Sequence, residues 1–335
     1  MANRDILAIG TSAGGFEALR FLTGRFPADL PASVLVVMHL WPTGRSMIDE
    51  ILSDTGRLPA TFAEDDERFE RGHIYIAQPG RHLVVESDRL RLGIGPRENN
   101  ARPAIDPLLR SLALCCGPRS IGVVLTGMLG DGSSGLQALQ RCGGVTVVQD
   151  PADAEFPAMP TAAISRANPD HVSRLAEMPE LLNRLVQQRR GEPVPVPESI
   201  KYEVEVATTG RTAMSMMDRI GRRSVIACPD CGGVTWEIED GGILRYRCHT
   251  GHAYSADVMS LALDESLRRA LASALRALDE RVALTKKLES QARNQGSNRL
   301  AAMWAEKAAE FEKEAETVRD SIQRADEISM KAAAE

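Results

Sequence analysis

Aromatic residues supply only 4% of this 335-residue chain, too few for the stacking platforms on which single-stranded nucleic acids are held. An excess of positive charge is also missing. The 40 Lys and Arg against 46 Asp and Glu leave a net charge of −6, which excludes a dedicated nucleic-acid binder while leaving room for a local basic patch. No apolar run reaches the roughly 20 residues of a membrane-spanning helix, and no basic stretch leads into an apolar one at the N-terminus. The expectation is a soluble, cytoplasmic protein without membrane insertion. The six cysteines do not form a disulfide framework: Cys115 and Cys116 are adjacent, Cys142 stands alone, and Cys228, Cys231 and Cys248 cluster. That distribution suits a reducing compartment.

What is present begins with Gly10-Thr11-Ser12-Ala13-Gly14-Gly15, which follows the apolar run Ile6 to Ile9 and precedes a helical pattern. A strand, a Gly-rich turn and a helix place Ser12 where backbone N–H groups and the positive end of a helix dipole favour an anion or an oxyanion. A phosphate cradle is one reading, although neither the dinucleotide fingerprint nor a lysine-bearing P-loop is spelled out.

Short β-rich runs alternate with helical stretches as far as about residue 185: Ile6–Ile9, Val34–Met38, Ile74–Ala77, Leu83–Val85, Ile121–Leu125 and Val145–Val148. This rhythm predicts a doubly wound α/β fold, a mainly parallel sheet with helices on both faces. Ligands of such sheets bind beyond the carboxyl ends of the strands. His39 follows the second run, and Asp131 lies in the Gly-rich turn after Ile121–Leu125. Taken singly, His39 reads as a half-buried loop histidine and Asp131 as a helix N-cap. Together with Ser12 they put a hydroxyl, an imidazole and a carboxylate on one rim, the groups a serine hydrolase needs. His73, His82 and His171 need only structural roles.

The segments IGTSAGGFEAL, VVMHLWP, GHIYIAQPGRHL, ENNARPAIDPLLRSLA, VVLTGMLGDGSSGL and VVQDPADAEFPAMPTAAI closely resemble, in this order, the catalytic domain of CheB-type protein-glutamate methylesterases. The resemblance covers roughly residues 4–185. It implies Ser12 as nucleophile, His39 as base and Asp131 as triad acid, acting on glutamate γ-methyl esters of chemoreceptor cytoplasmic helices to give glutamate and methanol, with glutamine deamidation as a related activity. No cofactor is expected for catalysis. Backbone N–H groups near Ala13 and Met128 are candidate oxyanion donors. Ala13 lacks the hydroxyl that some relatives have at this place. Such proteins typically carry an N-terminal receiver domain, whereas this sequence opens at the first catalytic strand, so phospho-aspartate control within the chain is not expected. Arg97 and Arg102 are candidates for receiving an acidic receptor surface. A catalytically silent scaffold serving a signalling partner is the competing reading; the enzyme requires the three side chains to converge and the scaffold does not.

The prolines of Gly191–Pro197 predict an extended spacer, and Lys201–Val206 reads as a strand or an extended docking segment. Further on, Cys228-Pro229-Asp230-Cys231 and Cys248-His249-Thr250-Gly251-His252 flank two alternating runs around Asp240-Gly241-Gly242, the pattern of a hairpin that folds one ligand pair onto the other. Cys228, Cys231, Cys248 and His252 would hold a structural zinc ion; adjacent Cys248 and His249 could not easily chelate one ion. From Ser255, a predicted N-cap, Leu271, Leu275, Leu278 and Val282 form one helical stripe. Beyond Asn294–Asn298, a second stripe runs through Leu300, Trp304, Ala308, Phe311, Ala315, Val318 and Ile322. Two antiparallel helices would bury both, unless the seam docks on receptor helices or forms a homo-oligomer. The expected order is a catalytic domain at 1–190, a linker at 191–224, a zinc-ribbon-like module at 225–255 that chelation melts separately, and a helical hairpin at 256–335.

Overall fold

The structure, a computed structural model, describes residues 3–40 and 46–334; Trp41 and Pro42 of the second motif lie outside them. The chain forms two compact units, residues 1–258 and 259–335. The first begins β1 (Ile6–Thr11), α1 (Gly15–Thr23), β2 (Ser33–Met38), α2 (Ile48–Thr55), β3 (Ala60–Phe62), β4 (Glu67–Arg68), β5 (Ile74–Ile76), β6 (His82–Glu86) and β7 (Arg89–Gly93). It continues with α3 (Ile105–Cys115), β8 (Ser120–Val124), α4 (Ser133–Arg141), β9 (Val145–Gln149), α5 (Ala158–Ala167), β10 (His171–Ser173) and α6 (Met178–Gln187).

Seven strands make one sheet in the order β10-β9-β8-β1-β2-β5-β3, and every pairing in it is parallel. Both faces are covered, as continuous apolar strands require. Ile6, Ala8, Leu35 and Val37 pack on one side with Leu108, Leu109 and Leu136; the intervening Leu7, Ile9, Val34 and Val36 pack on the other with Leu19, Leu22 and Leu182. From β1 the chain moves to β2 and outward, then returns to β8 on the other side. The boundary between β1 and β8 is therefore the switch point at which such folds open a crevice.

Leu83–Val85 does not join this sheet. It lies in β6, which pairs antiparallel with β7 in a separate three-stranded sheet with β4. Only Ser87, at φ 60°, and Asp88 separate β6 from β7, and a connection that short cannot make a parallel crossover.

Lys201–Val206, expected as a strand or an extended docking segment, is helical, lying within α7 (Glu198–Thr209), and α8 (Met214–Ile220) follows; the spacer at 191–197 holds no helix. Tyr202, Val204 and Val206 alternate like a strand, yet all are buried because α7 is covered on opposite sides. Ile200, Val204 and Ala207 join the sheet core, while Tyr202 and Val206 meet Met217, Trp236 and Ile238. There follow β11 (Arg222–Ala227), β12 (Val234–Asp240), β13 (Ile243–Cys248) and β14 (Ala253–Ser255), an antiparallel sheet in chain order. The predicted hairpin is β12–β13, turning through Gly241 and Gly242 at φ 59° and 83°, the left-handed pair that a two-residue turn requires.

This small sheet is not a separate bead. Two buried carboxylates, Glu98 and Glu203, meet three buried arginines from different parts of the chain. Arg245 forks onto Glu203 at 2.7 and 3.1 Å, Arg247 bridges Glu98 at 2.9 Å and Glu203 at 3.1 Å, and Arg110 pairs with Glu98. Burial alone would raise the Glu203 carboxyl, but Arg245, Arg110 and Arg247 hold it well below the usual range.

In the second unit, α9 (Ala256–Asn294) continues from the first and α10 (Asn298–Ala334) returns antiparallel to it. Arg268–Asp326, Asp279–Arg319 and Lys286–Glu312 pair between the helices. Ala292, Ala301, Ala308 and Ala315 are buried along the seam. Leu300, expected in the stripe, is 43% exposed; Ala301 is buried in its place, with Ala308 and Ala315 buried as expected.

Glu203→Gln is expected to lose about 3–5 kcal/mol at pH 7, since it leaves arginine charge buried and uncompensated. Because the folded carboxyl lies below its ordinary value of 4.5, its contribution is complete above that value and fades as pH falls below it. Urea midpoints at several pH values should show the gap between wild type and variant narrowing in acid.

Candidate active site and metal site

Ser12 directly follows β1, and a tight turn closes behind it, with the Gly15 N–H donating to the Ser12 carbonyl at 2.9 Å. Thr126, just after β8, ties the two strand ends together. Its carbonyl accepts the Ser12 N–H at 3.1 Å and the Thr11 hydroxyl at 2.9 Å, and its own hydroxyl donates to the Ala13 carbonyl at 3.2 Å. Gly127 is needed for this approach: a Cβ there would stand 2.9 Å from the Ser12 Cβ and 2.5 Å from Met159 Cε.

The three side chains converge. The Ser12 hydroxyl lies 3.1 Å from His39 Nδ1, and Asp131 Oδ2 lies 2.9 Å from Nε2. A carboxylate only accepts, so Nε2 carries the proton and the Nδ1 lone pair faces Ser12. Asp131 is buried, and it caps a helix, though not the one it precedes: its oxygens accept the Ile105 and Asp106 N–H groups of α3 at 2.6 and 3.3 Å and the Gly132 N–H at 3.0 Å. The helix that follows Asp131 has Gly132 as its N-cap, with no side-chain cap. Burial pushes its carboxyl up, but the His39 hydrogen bond and charge, the Ile105 amide and Asn99 hold it below the ordinary value. Neighbouring Asp106 is raised by burial and by the Asp131 charge.

A sequence profile described as CheB methylesterase matches residues 7–182, a span that contains all three side chains. The chain belongs to the CheB methylesterase family. A Xanthomonas campestris protein-glutamate methylesterase/protein-glutamine glutaminase is 38% identical over 189 residues, which are 55% of this chain and 52% of that protein. A Methanosarcina mazei protein with the same activities in its name is 33% identical over 192 residues, 55% of this chain and 52% of that one. The chain thus spans about half the length of each of these two. A Leptospira interrogans relative to which those activities are ascribed is 34% identical over 186 residues, 55% of this chain and 96% of the relative. The crystal structure of the Thermotoga maritima CheB methylesterase catalytic domain superposes with a TM-score of 0.52 at 30% identity, covering 56% of this chain and all of that domain.

Within the CheB domain, Ser12, Ala13, His39, Arg97, Asn99 and Arg102 line an open cleft of about 490 Å3. A larger depression of about 630 Å3 beside α1 is lined by neither Ser12 nor His39. Neither Arg97 nor Arg102 forms an ion pair among the described residues. The Ala13 and Met128 N–H groups donate to no protein acceptor among the described residues and remain available to a ligand. His82 is structural, its Nε2 2.8 Å from the Pro96 carbonyl and its Nδ1 accepting the Ala104 N–H at 3.3 Å. His73 stacks on Tyr75. Asn99, Asp106 and Thr126 carry no functional signal of their own in the sequence, although the first two lie in the ENNARPAID segment and the third in VVLTGMLGDGSSGL.

Beyond the matched residues, Cys228, Cys231, Cys248 and His252 bring one ligand atom each within 4.8 Å of one another. Cys231 and Cys248 sulfurs are 3.7 Å apart, and His252 Nδ1 is 3.5 and 3.7 Å from the sulfurs of Cys248 and Cys228. A tetrahedral ion with metal–sulfur and metal–nitrogen bonds of about 2.3 and 2.05 Å would have edges of about 3.8 and 3.5 Å, so the group fits. His252 Nε2 faces Asp230 at 3.8 Å, an outer partner of the kind that orients imidazole ligands. His249 is not part of this group, and its ring lies against Gly233. The Cys248 thiol is held low, chiefly by the hydrogen bond from Cys228 and also by His252 and Thr250.

Purified protein is expected to carry one equivalent of metal per chain by elemental analysis, and Cys248→Ser to carry far less. Equal metal content in both would dismiss the cluster as a site.

Proposed function

We propose that the chain hydrolyses glutamate γ-methyl esters on the cytoplasmic helices of methylated chemoreceptors, releasing methanol, and acts on glutamine side chains by the same route. The observation that carries this reading is the hydrogen-bonded line from Ser12 through His39 to Asp131 at the switch point of a CheB fold. Ser12 Oγ attacks the ester carbonyl while His39 Nδ1 takes its proton. The tetrahedral oxyanion sits against the Ala13 and Met128 N–H groups. Collapse expels methoxide, which receives the proton from His39, and leaves an acyl-enzyme. Water, deprotonated by the same nitrogen, releases the glutamate. Asp131 stabilises the imidazolium throughout. A line already assembled is what an enzyme needs and a silent scaffold does not.

Arg97 and Arg102, which form no ion pair among the described residues although Arg102 donates to the Gly95 carbonyl at 3.0 Å, suit the acidic surface of a receptor helix bundle. The four-ligand cluster suits structural zinc, because three thiolates and one imidazole fill a tetrahedral shell and leave no position for substrate. The ion would supply folding energy, on the order of 10–16 kcal/mol in isolated zinc peptides. The domain boundaries that accompany this reading are 1–190 for the catalytic part, 191–224 for the connecting helices, 225–255 for the ribbon and 256–335 for the hairpin.

Methanol release from methylated receptor fragments should fall roughly 10⁴-fold or more in Ser12→Ala, with folding intact. No release by folded, metal-loaded wild type would overturn the reading. Reversing charge at both Arg97 and Arg102 should raise KM for receptor fragments about tenfold or more, each rim charge acting mainly on encounter and binding, and leave kcat near wild type. An unchanged KM would remove the acidic-surface assignment.

A further inference from the structure

Asp131 receives one hydrogen bond that does not come from the backbone or from His39. Asn99 Nδ2 donates to Asp131 Oδ1 at 2.9 Å and to Asp106 Oδ2 at 3.1 Å, so one amide group bridges two buried carboxyls that repel each other. Its orientation is imposed from elsewhere. The Ser255 N–H, at the end of β14, donates to Asn99 Oδ1 at 2.8 Å, which fixes the oxygen toward β14 and turns both amide protons toward the carboxyls. The Asn99 N–H itself donates to the Ala253 carbonyl at 2.8 Å, and the Ala253 N–H to the Arg97 carbonyl at 3.3 Å. Residues 97–99 are in effect an added strand on β14. The Asn99 backbone is left-handed, at φ 50°, a conformation asparagine tolerates better than most side chains. Next to it, Glu98 is clamped by Arg247 of β13.

His252, of the four-ligand cluster, immediately precedes β14. The same short strand therefore ends in a metal ligand on one side and holds Asn99 on the other.

We propose that Asn99 is a positioning residue for the Asp131 carboxylate, and that the metal-bearing sheet holds Asn99 in place. The esterase site is then completed by residues outside the CheB domain, and loading of the Cys228–His252 cluster sets its efficiency. This rests on the catalytic reading above. Because Asp131 keeps three backbone donors without Asn99, the effect is smaller than loss of the triad acid, which costs about 10⁴-fold in serine proteases.

The test uses full-length, zinc-loaded protein. Asn99→Asp keeps the shape and the acceptor for Ser255 but replaces the donors with negative charge; kcat should fall about 10- to 100-fold, the range for outer-shell partners, with KM within about threefold of wild type. Ser255→Pro removes the donor on the side of the sheet and should lower kcat in the same direction, which keeps the proposal open to refutation should Asn99→Asp fold poorly. Independently of turnover, stripping zinc with a chelator should speed hydrogen exchange at the Ile105, Asp106 and Gly132 amides, which donate to Asp131. Wild-type kcat in a folded Asn99→Asp, or exchange at those amides unchanged after verified zinc loss, would overturn the coupling. Wild type that releases no methanol would instead overturn the catalytic reading, while the exchange measurement still judges the link between metal and Asp131.

Discussion

A carboxylate taken out of water stays charged only if its lone pairs are met, and the first unit is arranged around meeting those of Asp131. The switch point between β1 and β8 brings the loops after β1, β2 and β8 together. Into that crevice α3 points its N-terminus, so that two of its orphan amides fall on Asp131. The same contact satisfies the helix end and fixes the carboxylate, which in turn fixes the tautomer of His39. Glycine at 127 lets the β8 loop close against Ser12, and Thr126 locks the distance.

The cost of this arrangement is a second buried carboxyl, Asp106, one residue into α3 and close to the first. The Asn99 amide between them donates to both, and Arg110 stands 3.9 Å from Asp106 on the same helix. That amide belongs to a segment, 97–99, whose own order derives from β14 and from the Glu98–Arg247 pair. Ionic packing thereby adds to the small apolar cluster around Trp236: Glu98 and Glu203 join a strand, a helix and a loop.

Much of this was legible in the sequence because its signals are local. Ser12 and Asp131 each stand in a glycine-rich turn between an apolar run and a helix, and His39 directly follows such a run. The cysteine spacing and the Asp240-Gly241-Gly242 turn announced a hairpin with ligands at its ends. What escaped depends on contacts between distant segments. Tyr202, Val204 and Val206 alternate like a strand, and only packing on two sides makes them a helix. Leu83–Val85 has the composition of a sheet strand, but its short turn sends it into another sheet. Asn99 carries no signal of its own, because its role exists only where residue 255 meets it, and the ribbon read as independent is bound to the catalytic part through that meeting.

Asn99 and its partner Ser255 are 156 positions apart, and this separation has a consequence for synthesis. Synthesis passes Ser12, His39 and Asp131 more than a hundred residues before it reaches β14, the strand that orders residues 97–99. A ribosome that stalls or releases the chain between these points would leave the CheB domain with Ser12, His39 and Asp131 present and Asn99 without its Ser255 partner. Long-range closure of this kind is slow relative to local structure, so the contact between Asn99 and Ser255 is among the later ones to form.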